Sequence, residues 1–118
     1  MKRKLIYVSL PIAGVEDTVY RRNEEAKTIL LQLGYDIVSP IDTNGINNED
    51  LKTHTQLEKT AYYMGKDIEH VILCDGICMC YGWENSKGCK VEKYTAEVYD
   101  KEILYLSDLI ENYYKGEA

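Results

Sequence analysis

The strongest constraint on this chain is an alternation. A short apolar run is followed by a stretch with helical spacing, and the pattern repeats from one end to the other. Residues 4–9 form the first run, a strand expected to be buried on both faces. Pro11 and Gly14 then break the chain. Over residues 15–33 the apolar positions Val19, Ala26, Ile29, Leu30 and Leu33 make one helical stripe, with Arg21, Arg22, Glu24 and Glu25 on the wet side. Gly34 is a natural helix stop. Residues 35–38 read as a second strand ended by Ser39-Pro40, and the polar residues 42–50 read as a loop. Residues 51–73 read as helix, with a break near Gly65 dividing it into two pieces. Residues 75–81 give a third strand, 82–86 a turn, and 87–100 a helix whose inner stripe is Val91, Tyr94 and Val98. Residues 102–106 give a fourth strand, and Ser107 caps a last helix.

A strand-helix alternation of this kind implies a parallel sheet covered by helices on both faces. The 118 residues fit a single domain, 1–118. Right-handed crossovers give a three-layer, flavodoxin-like α/β fold of four or five strands, ordered 2-1-3-4. The order reverses between the first and third strands. A ligand crevice is therefore expected above their C-terminal ends, where residues 7–11 and 82–92 converge.

Charge narrows the ligand. Fourteen basic against twenty acidic residues leave a net charge of -6 and a pI of about 4.9. That disfavours a nucleic-acid polymer or an anionic membrane as partner, but not a small anion held by backbone amides. No apolar run approaches the roughly 20 residues of a membrane span. The basic start, Met1 to Lys4, lacks the long apolar region of a signal peptide and reads as the lead into a strand. Cys74, Cys78, Cys80 and Cys89 match no common zinc spacing, and His54 and His70 are too far apart to suggest a metal pair. Reduced core thiols in a cytoplasmic protein are the expectation, with no metal.

Several residues in the expected crevice carry chemistry. Ser86-Lys87-Gly88 opens a helix directly after a strand: Ser86 is a good N-cap, Gly88 lets a ligand approach the backbone, and the helix start favours a phosphate. An ordinary capped helix explains the same three residues. Glu92 lies six residues past Ser86, roughly 9 Å along the helix. That is about the separation between a nucleotide's 5′-phosphate and its anomeric carbon, where a carboxylate can act as nucleophile. A surface Glu paired with Lys93 is an equal alternative. Tyr7, in a strand buried on both faces, needs a partner for its hydroxyl, and Glu92 is a candidate. Asp67 reaches the strand tops only if its helix begins late; there it could position substrate or handle the leaving base's proton. Asp75, at the opposite end of the sheet, reads as structural. Trp83 and Glu84 could wall a base or make a dimer contact.

Taken together, Tyr7-x-Ser9-x-Pro11-Ile12-x-Gly14, Tyr63-Met64-x-x-Asp67-Ile68, Cys74-Asp75 and Gly82-Trp83-Glu84-x-Ser86-x-Gly88-x-x-x-Glu92 resemble the nucleoside 2-deoxyribosyltransferase superfamily. The likeness spans nearly the whole chain and is nearest to a small bacterial and phage branch of unknown function. It implies a flavodoxin-like homodimer that cleaves the N-glycosidic bond of a nucleoside or nucleotide without metal or organic cofactor. By matching positions, Glu92 would be the nucleophile at C1′, Tyr7 would orient it, and Asp67 would be the second carboxylate near sugar and base. Ser86 and Gly88 resemble the phosphate-holding positions of the deoxynucleoside-monophosphate hydrolases; Ser9 and Pro11 lie in the first substrate loop. Lys90 stands where those hydrolases carry Gly and could pair with phosphate; Leu10 also replaces a usual Gly. The expected activity is hydrolysis of a (deoxy)nucleoside 5′-monophosphate through a glycosyl-Glu92 intermediate. Base exchange, or a catalytically silent nucleotide-binding module, are the alternatives.

Overall fold

A computed structural model describes residues 2–12, 17–44 and 52–114. The elements run β1 (Leu5–Ser9), α1 (Val19–Gln32), β2 (Asp36–Val38), α2 (Pro40–Asn44), α3 (Gln56–Leu73), β3 (Gly76–Met79), a 3-10 turn at Trp83–Asn85, α4 (Lys87–Val98), β4 (Glu102–Tyr105) and α5 (Leu106–Tyr114). The four strands are parallel in the order β2-β1-β3-β4, as the alternation predicts. Tyr7 stands between Val38 and Ile77, and Ser9 is paired with Met79.

The period-2 geometry of β1 divides the core. Ile6 and Val8 turn to one face and join Val19, Ala26, Ile29, Leu30, Cys78, Cys80 and Leu106 under α1 and α5. Tyr7 turns to the other face and packs with Val71, Ile77, Met79, Cys89 and Ala96 under α3 and α4. All four thiols are free and buried. The third strand needs its first glycine: a Cβ on Gly76 would lie 2.9 Å from both the Glu102 carbonyl oxygen and the Ile6 side chain. Asp75 just before it accepts the Leu5 amide at 2.7 Å, which makes it a structural clamp at the end of the sheet away from the crevice.

A polar cluster runs from the buried Ser39 and Asn23 to the exposed Asp42 beside β2. The Ser39 hydroxyl donates to Asn23 Oδ1 (2.6 Å), Asn23 Nδ2 donates to Asp42 (3.1 Å), and Lys27 pairs with the other Asp42 oxygen (2.9 Å). It pins the start of α2 to α1.

Several boundaries differ from the sequence expectation. Residues 40–44 form a helical turn that takes in the first residues of the loop expected over 42–50, because Pro40 suits a first helical position and Ser39 Oγ accepts the Ile41 amide. The rest of the expected loop, 45–50, the expected break at Gly14 and residues 15–16 at the start of the expected first helix lie outside the described residues. The break expected at Gly65 is absent, since one glycine costs only about 1 kcal/mol. The helix is instead anchored at its start by a capping box in which Thr55 and Glu58 satisfy each other's amides. Ser107 is inside α5, which begins at Leu106, instead of capping it.

The largest correction concerns α4. Its expected inner residues Val91, Tyr94 and Val98 are exposed, and Cys89, Glu92 and Ala96 are buried instead. The two stripes have the same spacing and lie about 200° apart around the helix. Small Cys89 and Ala96 let α4 settle against the sheet, with Glu92 between them pointing inward.

Candidate active site

Tyr7 and Ser9 are two residues apart on β1, so both side chains leave the sheet toward α4. There they meet Glu92, which is only 5 % exposed. The Tyr7 hydroxyl donates to Glu92 Oε2 at 2.9 Å, and the Ser9 hydroxyl donates to Oε1 at 2.7 Å. The Glu92 carboxylate is thus gripped by β1 through both of its oxygens.

Asp67 completes the group from α3. It lies six residues before the end of its helix at Leu73, and Glu92 lies six before the end of α4 at Val98. Both helices lead into adjacent parallel strands, so the two carboxyls arrive at one level. Asp67 lies beside Glu92 and the Tyr7 hydroxyl, close enough that each acts on its carboxyl. It reaches them from the middle of an unbroken helix, which begins at Gln56, later than expected.

Two carboxyls in one buried place cannot both ionise easily. Burial, then the charge of Asp67, push the Glu92 carboxyl up to about 8; the bonds from Ser9 and Tyr7 act in the opposite direction. Burial also raises Asp67, against the bonds it makes and the charge of His70 on its own helix. Burial, then Glu92 and Asp67, raise the Tyr7 phenol, so it remains a proton donor in its hydrogen bonds. The Cys89 thiol is pushed up to about 11, mainly by burial, which keeps it a neutral neighbour of Ser9 and Glu92. The pair therefore holds one proton through neutral pH. An arrangement of this kind contains both a carboxylate nucleophile and a carboxylic acid donor.

The crevice mouth is built by the segments leaving β1 and β3. Gly82 takes a φ of 87°, which turns the chain sharply and brings it beside Pro11, with a 3.7 Å approach of its Cβ position to Pro11 Cγ. Leu10 is buried under α1, on the opposite face from Glu92. Ser86 caps α4 by accepting the Cys89 amide at 3.2 Å. Gly88 faces Met64 of α3; a Cβ there would stand 3.5 Å from the sulfur, an ordinary contact. Lys90 is exposed on α4. Trp83 is engaged elsewhere: its ring lies 6.0 Å from that of Tyr105 and 5.4 Å from Lys93 Nζ, toward β4. The structure thus gathers Tyr7, Ser9, Asp67 and Glu92 and sets Trp83 at the edge of the same core, with its ring toward Tyr105 and Lys93. Sequence reasoning placed Ser9 with the substrate loop and missed its bond to Glu92. The signal was available: Tyr7 and Ser9 share one face of a strand.

Residues 4–105 match the family described as Domain of unknown function (DUF4406). The chain belongs to this family. Comparison with curated protein sequences finds none that matches. Among solved structures, the chain is similar to a 2-deoxyribosyltransferase from Bacillus psychrosaccharolyticus, with a TM-score of 0.63 and 18% identity over 86% of this chain and 70% of the other. It is also similar to the CMP N-glycosidase BcmB of Clostridium botulinum, with a TM-score of 0.52 and 16% identity over the same shares. At these identities the likeness is one of fold, and the fold is the one that the motif resemblance implied. Among the described residues, no three His, Cys, Asp or Glu side chains group as a metal site, and no helix is long and apolar enough to cross a membrane.

Proposed function

We propose that this DUF4406 protein cleaves the N-glycosidic bond of a (deoxy)nucleoside 5′-monophosphate. The observation that carries the reading is the buried Glu92, gripped through both oxygens by β1 and set beside a second carboxyl, at the switch point of the sheet. The shared fold of a deoxyribosyltransferase and a CMP N-glycosidase supports it.

In the first step the Glu92 carboxylate attacks C1′. The C1′–N bond breaks, and Asp67 gives its proton to the departing base. Tyr7 holds the nucleophile as charge leaves it. In the second step water attacks C1′, the ester bond to Glu92 breaks, and the water's proton goes to the Asp67 carboxylate. The products are free base and sugar phosphate, with two inversions giving net retention. The 5′-phosphate would sit at the start of α4. There the Cys89 and Lys90 amides are taken by Ser86, which leaves the Lys87 and Gly88 amides for an anion. Lys90, exposed on the same turn, supplies a cation for phosphate. No cofactor takes part in either step. Pro11 closes the crevice on the β1 side, and Trp83 contributes to the site only through the loop that carries it.

Base exchange differs only in the acceptor that resolves the ester, a second base in place of water. The homodimer implied by the family resemblance has a surface to use in the outward stripe of α4, where Tyr94 is 68% exposed between Val91 and Val98. The test is base release from each ribo- and deoxyribonucleoside 5′-monophosphate, with and without a second free base. Free base and sugar phosphate from the wild type, absent with Glu92→Gln, is the expected result. A new nucleotide containing the second base would make it a transferase. Binding without release, unaffected by Glu92→Gln, would make it a nucleotide-binding module.

A further inference from the structure

Two carboxyls and one proton have two arrangements, and only one of them is useful to the reaction. With the proton on Asp67, Glu92 is a nucleophile and Asp67 an acid. With the proton on Glu92, neither role is filled. Burial favours the useless arrangement, because Glu92 is the more deeply buried of the two and loses more by being charged.

The hydrogen bonds around the pair are not symmetric. The Tyr7 hydroxyl reaches both carboxyls, so it stabilises a charge on either. Of the two carboxyls the Ser9 hydroxyl reaches only Glu92, at 2.7 Å, and its other polar neighbour is the neutral Cys89 thiol. Ser9 is completely buried, and its hydrogen has a carboxylate oxygen within reach at the geometry of a charge-assisted bond. The other groups facing the pair do not break the tie in this direction. Cys89 is a neutral thiol on α4, β3 offers Ile77 and Met79, and Tyr105 of β4 is turned to Lys93. His70 of α3 acts on Asp67, where its charge favours the carboxylate and hence the unproductive arrangement.

We propose that Ser9 is the positioning residue that places the shared proton on Asp67 and leaves Glu92 as the nucleophile. The inference rests on the reading of Glu92 as nucleophile, but its central measurement does not need turnover.

The experiment follows the side-chain carboxyl carbons by NMR in protein labelled with ¹³C at Glu and Asp, with the two signals assigned through their loss in Glu92→Gln and Asp67→Asn. Near pH 7 the wild-type Glu92 signal is expected at the carboxylate position and that of Asp67 at the carboxylic-acid position. Ser9→Ala should exchange them. Ser9→Cys, a near-isosteric weaker donor, should fall between. Tyr7→Phe should leave the order of the two signals unchanged. On the nucleotide that the wild type cleaves, Ser9→Ala should lower kcat roughly 10- to 100-fold, the worth of one bond to a charged group, with little change in KM. An unchanged Glu92 signal in Ser9→Ala, or a wild-type Glu92 already protonated, would overturn the proposal. If no nucleotide is cleaved, the hydrolase reading fails while the NMR order still decides the role of Ser9. If Glu92→Gln abolishes cleavage but Ser9→Ala does not move the proton, the hydrolase reading stands and this inference falls.

Discussion

Two polar clusters reach into the interior of this protein, and they are built on opposite terms. Beside β2, Ser39, Asn23, Asp42 and Lys27 join donor to acceptor and cation to anion in sequence. The pairing with Asp42, then Glu24, raises the Lys27 ammonium, so the positive charge there is favoured by its neighbours. Under α3 and α4, Asp67 and Glu92 set like charge against like, and burial raises both. The first cluster is what a chain does to hold its shape. The second destabilises the fold at neutral pH, and such sites are kept where reactivity needs them.

The sharpest way to break this contrast is Glu92→Gln. It should reduce base release by more than about 10³-fold, as expected for loss of a nucleophile. At the same time it should raise the midpoint of thermal unfolding at pH 8, because a neutral amide replaces a carboxyl that resists ionisation. Lower activity together with lower stability would put Glu92 in the same class as the Asn23 cluster.

Asp67→Asn should cost about 10²- to 10⁴-fold in base release, the range for a positioned proton donor. The pH profile of the wild type should be bell-shaped, because the active form carries one proton on the pair. Its alkaline limb should fall at about 8, where that last proton is lost. Asp67→Asn should remove that limb.

The stability of the folded protein carries the same signature. On folding, the Asp67–Glu92 pair keeps its shared proton up to about 8, where an ordinary glutamate loses it near 4.5, so between these values the folded chain holds a proton that the unfolded chain has released. Stability therefore falls as pH rises through that window, opposite to a salt-bridged carboxylate. Denaturant melts at pH 5, 6, 7 and 8 should show the decline in the wild type and a flatter line in Glu92→Gln.

Asn23→Ala should do the reverse of Glu92→Gln. It removes the bond from the buried Ser39 hydroxyl and the bond to Asp42, which should cost about 1–3 kcal/mol in urea melts. Activity per folded molecule should hardly change. The smallest effect is expected from Tyr94→Lys on the outward stripe of α4. It should leave the unfolding midpoint nearly unchanged and shift light scattering from dimer to monomer.

Much of this could be read from the residues. Strand order followed from the alternation of patterns, because a parallel sheet leaves few routes for the chain. Glu92 followed from its distance to Ser86, and the Tyr7 contact from the need of a buried phenol for a partner. What failed was the facing of α4. Val91, Tyr94 and Val98 look more apolar than Cys89, Glu92 and Ala96, and periodicity alone chooses the greasier stripe. The sheet chose the smaller one, since close approach and the Glu92 bonds outweigh the exposure of one Tyr and two Val. Gly65 misled for a related reason: a weak local preference yields to an 18-residue helix with a capping box. Ser9 escaped because a serine at a strand end has many uses, and only the inward turn of α4 shows which applies.

The account's central claim is that Glu92 is the group that attacks. Its most direct test is base release by wild type and Glu92→Gln, side by side, on the nucleoside 5′-monophosphate that the wild type cleaves, with folding of both checked by thermal melts. The account predicts free base and sugar phosphate from the wild type and none above background from a Glu92→Gln protein that melts no lower. Undiminished base release from Glu92→Gln would contradict it.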